Sequence, residues 1–132
     1  MEIEEVHILP TDKSPDVLLN PAGVIKITGR AIDENLRTVP EQITNWIDVY
    51  LLNPVKSTEV IIALEYLNSF NTIILTSILR RLSQVRQQSK ELVIKWYIEN
   101  DDDDLLDRGE SISTAFSIPI EFKLIDNIKS YY

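Results

Sequence analysis

The sequence predicts a single α/β domain built on a mixed β-sheet of about five strands with three helices. Two observations support this fold class. From residue 58 onward, runs rich in β-branched residues alternate with segments of helical periodicity, as in parallel strands joined by helical crossovers. With 132 residues, 44% of them apolar, the chain can bury one sizeable core but is too short to divide into two. We therefore expect residues 1–132 to form one domain.

The first thirty residues predict a β-hairpin. Residues 16–19 are apolar after the first position, and residues 24–28 alternate between apolar and polar side chains, which is typical of a half-buried strand. The Asn-Pro-Ala-Gly sequence at 20–23 separates them and favours a turn. Residues 3–9 are predicted to add an edge strand beside this hairpin.

A first helix is predicted to begin near Thr38. Glu41 follows three positions later, as in a capping box, and Pro40 suits the first helical turn. Asn53-Pro54 ends the pattern. Between these signals, apolar residues recur at helical spacing, namely Ile43, Trp46, Ile47, Tyr50 and Leu51.

The middle of the chain predicts a central strand followed by a second helix. Residues 59–67 form a nearly continuous apolar run, which is typical of a strand covered on both faces. After Asn68 and Ser69, a helix is predicted to continue to about Ser89. Its buried stripe consists of Leu75, Ile78, Leu82 and Val85.

The last third predicts two more strands around a short helix. Residues 91–98 and 121–125 have strand patterns, and a helix ending near Phe116 lies between them. The resulting order is β-β-α-β-α-β-α-β, in which right-handed parallel crossovers place the helices against a mixed sheet.

Composition argues against several classes of function. Without cysteine, the chain has no disulfides, no thiolate catalysis and no cysteine-based zinc site. The single histidine, His7, lies in the predicted edge strand, where we expect it to be exposed and uninvolved. Its three glycines are scattered too widely for a phosphate-binding loop. We therefore expect a protein that is not an enzyme and needs no cofactor.

The charge pattern bears on location and partners. The N-terminus is acidic, and no apolar run approaches the roughly 20 residues of a membrane span, so we expect a cytoplasmic protein. A net charge of −8 would repel nucleic acid and anionic lipid, so neither is an expected partner. Seven acidic residues against one arginine between positions 99 and 110 make this acidity local.

The acidic run from Asp101 to Asp104 leaves three interpretations open. It can be a solvated helix start favoured by the helix dipole, a docking surface, or a set of divalent-metal ligands. Consecutive carboxylates point in different directions, which disfavours the metal site. Trp46 and Trp96 are expected in the core, whereas Tyr97 faces the other side of its strand.

Ser69 lies at the junction of the central strand and the second helix. Its hydroxyl can cap that helix by accepting a bond from a free backbone amide. A phosphate at the same position would meet free amides and the positive end of the helix dipole. Residue chemistry alone leaves both roles open. Phe70, the next residue, can contact either a partner or the preceding loop.

Three segments of the chain occur in a characteristic order. They are residues 24–30 leading to Asp33, residues 63–69 ending in Leu-Asn-Ser, and residues 94–104 with their acidic tail. Together they resemble the SiaC family of bacterial regulatory phosphoproteins, whose α/β fold is STAS-like, similar to that of anti-sigma-factor antagonists. The resemblance extends from about Pro15 to Asp126.

This resemblance implies that Ser69 is a phosphorylation site. In the SiaC family, the threonine or serine after the central asparagine is phosphorylated by a dedicated kinase and dephosphorylated by a metal-dependent serine/threonine phosphatase. The unphosphorylated protein binds and activates a diguanylate cyclase. Thr72 is a second, weaker candidate for modification. The expected partner-binding residues are Asn68, Ser69, Phe70, Asn71, Asp101 and Asp102.

The leading hypothesis is therefore a signalling phosphoprotein that switches partners through Ser69. One alternative is a constitutive interaction scaffold in which Ser69 is only a helix cap. Another is a metal-dependent hydrolase that uses the acidic run.

Overall fold

The computed structural model describes residues 3–35 and 38–131. Six strands form one sheet: β1 (Val6–Ile8), β2 (Asp16–Asn20), β3 (Val24–Ala31), β4 (Ser57–Leu67), β5 (Glu91–Glu99) and β6 (Glu121–Ile125). The three α-helices are α1 (Thr38–Tyr50), α2 (Ser69–Leu82) and α3 (Asp103–Phe116). Short 3-10 helices cover Ser83–Gln88, which extends α2, and Ile128–Tyr131, which follows β6.

The strands are arranged in chain order across the sheet, from β1 at one edge to β6 at the other. The pairs β1–β2 and β2–β3 are antiparallel, and β3 through β6 are parallel. The α/β prediction is confirmed. The sheet has six strands rather than about five, because the three-residue β1 adds an edge strand to the predicted hairpin.

His7 lies in this edge strand, and its side chain is 49% exposed. Its Nε2 atom lies 2.6 Å from Oδ1 of Asp16 on the neighbouring strand. The expectation of an exposed edge-strand histidine is confirmed. Strand pairing brings it against a carboxylate, and its lack of a functional role stays a prediction.

The predicted turn between β2 and β3 is present. The Gly23 amide donates to the Asn20 carbonyl at 2.9 Å, and Gly23 has a φ of +95°, which favours glycine. A Cβ here would lie only 2.5 Å from the Val55 side chain. Gly23 therefore allows the segment leading into β4 to pack directly on the hairpin turn.

All three α-helices pack on one face of the sheet. Val39 of α1 and Leu75 of α2 line the same apolar crevice as Ile27 of β3. Helix α3 approaches the sheet so closely at Gly109 that an added Cβ would lie 2.6 Å from the Phe122 ring. The helices therefore form one layer, and among the described residues the opposite sheet face carries no α-helix.

Both tryptophans belong to the core, as predicted. Trp46 is 7% exposed and Trp96 is completely buried. Trp46 stacks on Tyr50 with a centroid separation of 5.3 Å, and its indole N–H donates to the Glu4 carbonyl at 2.8 Å. Truncating a core aromatic residue to alanine typically costs about 3–5 kcal/mol. These aromatic rings therefore contribute to packing.

The end of the chain folds back onto the helix-free face. Tyr131 stacks on Tyr97 with a centroid separation of 4.1 Å, and the Ile128 amide donates to the Glu99 carboxylate at 3.1 Å. Partial burial, reinforced by Tyr97, raises the pKa of the Tyr131 hydroxyl above its ordinary value. Tyr131 is therefore packed against the sheet, whereas Tyr132 lies outside the described residues.

Candidate regulatory site

Ser69 lies at the carboxyl edge of the parallel strands. β4 is buried on both faces, with Ile62 and Ala63 both completely inaccessible, and ends at Leu67. Helix α2 begins two residues later at Ser69, and α3 begins at Asp103, shortly after β5 ends. Because neighbouring parallel strands end at the same edge, the sheet brings both helix starts to one side of the molecule.

Asn68, and not Ser69, caps helix α2. Asn68 has extended backbone angles, φ −87° and ψ 175°, and its Oδ1 atom accepts from the Asn71 amide at 2.9 Å. This bond satisfies one of the free amides of the first turn. Of the two roles that residue chemistry left open for the Ser69 hydroxyl, the capping role is wrong, because Ser69 is already the first helical residue.

The cap belongs to a larger amide network. Nδ2 of Asn71 donates to Asn68 Oδ1 at 2.8 Å and to the Asp33 carbonyl at 3.1 Å. Nδ2 of Asn68 donates to the Ile32 carbonyl at 2.9 Å. Asn71 is only 7% exposed. The network therefore fixes the start of α2 against the chain leaving β3, and the structure assigns both asparagines a positioning role beneath Ser69.

The Ser69 side chain is exposed. Within the described part of the chain, its hydroxyl forms no hydrogen bond, and the backbone amides of Ser69 and Phe70 have no acceptor. Thr72 differs, because it is half-buried and its hydroxyl donates to the Asn68 carbonyl at 2.7 Å. Of the two candidate hydroxyls, Ser69 is the accessible and unbonded one.

Two apolar side chains accompany Ser69 at the start of α2. Ile73 is 72% exposed, while Phe70 is half-buried. Tyr66 of β4 is 54% exposed, and its ring centroid lies 5.5 Å from the Arg30 guanidinium. Ile73 follows Ser69 by four residues, so both lie on the outer face of α2. Sequence reasoning missed Ile73. The available signal was an isoleucine outside the buried stripe of an amphipathic helix, where a polar residue is expected.

The acidic run forms the start of α3. Oδ1 of Asp102 accepts from the Leu105 amide at 3.1 Å, and Asp103 and Asp104 occupy the first turn. Asp101 is exposed. The interpretation as a solvated helix start is therefore confirmed. No group of three or more metal-ligating side chains converges anywhere in residues 3–35 or 38–131.

Arg108 connects α3 to the end of β4. Its Nη1 atom donates to the Leu67 carbonyl, two residues before Ser69. Arg108 and Asp104 line a small crevice of about 160 Å³ beside Tyr66. Sequence reasoning also missed this arginine. The sequence signal that could have identified it is that it is a single basic residue within an otherwise acidic helix.

The fold and this site define a small α/β regulatory domain with an accessible hydroxyl at its sheet edge. The sequence model of one protein family, SiaC family regulatory phosphoprotein, matches residues 8–126 of this chain. The chain therefore belongs to the SiaC family, as the sequence resemblance indicated. No curated protein sequence matches the chain significantly.

Solved structures of SiaC from Pseudomonas aeruginosa share this fold. The apo-SiaC crystal structure has a TM-score of 0.80 and 21% identity, covering 92% of this chain and 99% of that one. A second crystal structure contains SiaC in complex with the diguanylate cyclase SiaD, whose activator it is. Its SiaC chain has a TM-score of 0.82 and 21% identity, and the match covers 91% of this chain and 99% of that one.

Among the described residues, no helix has the length and apolar character needed to cross a membrane.

Proposed function

We propose that this chain is a non-enzymatic, cytoplasmic regulator that switches partners through reversible phosphorylation of Ser69. In the unphosphorylated state it binds an effector enzyme. A diguanylate cyclase is the favoured effector because the related SiaC is the activator of SiaD. A serine/threonine kinase adds the phosphate, and a metal-dependent phosphatase removes it.

The observation that supports this proposal most strongly is the exposed, unbonded Ser69 hydroxyl on a first turn without acidic residues. A phosphate here would accept from the free amides of Ser69 and Phe70 and would face the positive end of the α2 dipole. Because Asn68 already caps the helix, the hydroxyl is available for modification without loss of the cap. The helix start is thus formed before the phosphate arrives.

A phosphate would change the surface that a partner meets. Phosphorylation adds about −1.5 to −2 charges at neutral pH. Phe70 and Ile73, on the same helix start as Ser69, are suited to apolar contact with a partner, and burying a phosphate beside them would carry a desolvation cost. We therefore expect phosphorylation to weaken binding of the effector.

The acidic segment contributes the second half of the proposed surface. Asp101 is exposed at the carboxyl edge, so it can meet a basic group of the effector directly. Asp102 is half-buried and already caps α3, so its contribution is mainly to hold Asp101 and the helix start in place. Asn68 and Asn71 act in the same indirect way beneath Ser69.

The first test is the modification itself. Intact-mass measurement and peptide mapping of the protein purified from its native cells should find a single phosphate on Ser69. Phosphate on Thr72 with none on Ser69 would contradict the assignment of the site.

The second test is binding to the SiaD-type diguanylate cyclase of the same cells. Wild type and Ser69→Ala should bind and stimulate the cyclase, and Ser69→Glu should bind at least about tenfold more weakly. Ser111→Glu is the matched control, because it adds the same charge at an exposed position of α3.

The outcomes separate the alternatives. Equal binding by all four proteins would show a constitutive scaffold and contradict the switch. Loss of binding in both glutamate variants would indicate a general charge effect rather than one at Ser69. Binding by none of the four would contradict the assignment of a diguanylate cyclase as effector.

A further inference from the structure

A groove of about 510 Å³, lined mainly by polar and charged residues, lies on the helix-free face of the sheet. Its floor contains Lys26, Thr28 and Arg30, which alternate along β3 and therefore point to the same side. Thr11 of the loop before β2 and Tyr131 of the C-terminal 3-10 helix form its walls. The volume is within the range of small-molecule sites in proteins, about 300–1,000 Å³.

A β-bulge directs a carboxylate into this groove. Gly29 pairs with Leu64 and Arg30 pairs with Tyr66, so Glu65 is an extra residue in β4. Bulges of this kind re-aim a side chain and are common next to functional sites. Oε1 of Glu65 accepts from Nε and Nη2 of Arg30 at 3.1 and 3.0 Å.

One buried carboxylate oxygen of the groove has unmet bonding capacity. Oε2 of Glu65 is buried without a hydrogen bond, and Nζ of Lys129, on a side chain that is 63% exposed, lies 3.8 Å away. Thr28, which is 4% exposed, lines the same groove. Lys26 is half-buried, and within the described residues it forms no ion pair. Because buried polar atoms normally have a hydrogen-bond partner, Oε2 of Glu65 marks a position where the donor of a ligand can bind.

The charges of the groove select the class of ligand. The groove is lined by three cationic side chains and three carboxylates; the cations are Lys26, Arg30 and Lys129, and the carboxylates are those of Asp12, Asp16 and Glu65. His7 also lines the groove and is bonded to Asp16. Near-cancellation disfavours both a phosphate and a divalent cation. Oε2 of Glu65 can accept a further hydrogen bond, and the Lys26 ammonium can donate to an anion. A ligand with an ammonium at one end and a carboxylate at the other satisfies both.

We propose that the groove binds a small zwitterion of the amino-acid class. The ligand ammonium takes the place of Lys129 at Oε2 of Glu65, and the ligand carboxylate accepts from Lys26 and the Thr28 hydroxyl. This site is on a different face from the helices and does not depend on the phosphorylation of Ser69.

The test is an amide-detected NMR titration of the full chain with each common amino acid at millimolar concentration. At least one should give saturable shifts at residues 26–30 and 65. Its N-acetyl form lacks the ammonium and its amide form lacks the carboxylate, so both should bind about tenfold more weakly or worse. Glycerol and inorganic phosphate serve as neutral and anionic probes.

Two variants test the assigned contacts. Lys26→Met and Glu65→Gln should each weaken binding at least about tenfold, and Lys123→Met, an exposed lysine outside the groove, should not. Absence of saturable shifts with every amino acid would overturn the proposal. So would equal shifts from glycerol or phosphate, or amino-acid binding that survives Lys26→Met unchanged.

Discussion

Helices α2 and α3 both begin at the carboxyl edge of the sheet and are capped in the same way. In each, the side chain preceding the helix accepts from the backbone amide three residues later, at 2.9 Å for Asn68 and 3.1 Å for Asp102. The first turns differ in charge. α3 has a charged cap followed by Asp103 and Asp104, whereas α2 has a neutral cap and no acidic residue in its first turn.

This difference explains why one helix start is suited to regulation and the other to structure. The positive end of a helix dipole is stabilised by nearby negative charge. In α3 the acidic residues already supply that charge. In α2 the free amides of Ser69 and Phe70 have no anionic partner among the described residues, so a phosphate on Ser69 would supply a charge that the helix lacks.

The largest expected effect is on the free energy of unfolding, and it appears when the caps of α2 and α3 are removed in turn. Asn68→Ala should lower the free energy of unfolding by about 3 kcal/mol, because it removes the cap, leaves the Ile32 carbonyl without its donor and removes one of the two acceptors of the Asn71 side chain. Asp102→Ala removes one capping bond and should cost about 1 kcal/mol. Urea unfolding followed by tryptophan fluorescence measures both, and equal costs would show that the amide network adds nothing to the cap.

The identity of the α2 cap also shows where sequence reasoning stops. The apolar run of β4 and the stripe of α2 are long and periodic, so the strand–helix junction near Ser69 could be predicted. Asn68 and Ser69 are comparable as caps by residue type. The choice depends on the Ile32 and Asp33 carbonyls, which only the folded β3–β4 pair brings into reach.

The other missed features also depend on long-range contacts. The bulge at Glu65 is a property of the register between β3 and β4, which a single strand pattern does not contain. The stacking of Tyr131 on Tyr97 joins residues that are distant in sequence, so local patterns do not contain it. Local periodicity therefore predicts the elements and the position of the candidate site, and tertiary pairing decides the bonds within it.

A smaller effect is expected from removing the acidic residues of α3. Asp103→Asn and Asp104→Asn remove charge from the first turn and leave the Asp102 cap in place. Each should lower the free energy of unfolding by about 0.3–1 kcal/mol at low ionic strength, and the loss should shrink in high salt. Urea unfolding at two salt concentrations checks this. A loss that does not depend on salt would show that packing, and not the helix dipole, is responsible.

The smallest expected effect is a gain in stability from adding charge to α2. Ser69→Asp places a carboxylate on the first turn that lacks one, so it should raise the free energy of unfolding by about 0.5 kcal/mol at low salt. Ser69→Ala should change stability by less than about 0.5 kcal/mol, because the hydroxyl is exposed and forms no described hydrogen bond.

Ser111→Asp is the control for this comparison, because it adds the same charge in the interior of α3, close to Asp107 and Glu110. It should be neutral or slightly destabilising, since like charges on one helix repel and the dipole acts mainly at the ends. Thermal and urea unfolding of the three variants resolve the order. If Ser69→Asp destabilises the protein as much as Ser111→Asp does, the first turn of α2 does not favour an anion and the electrostatic basis of the switch is wrong.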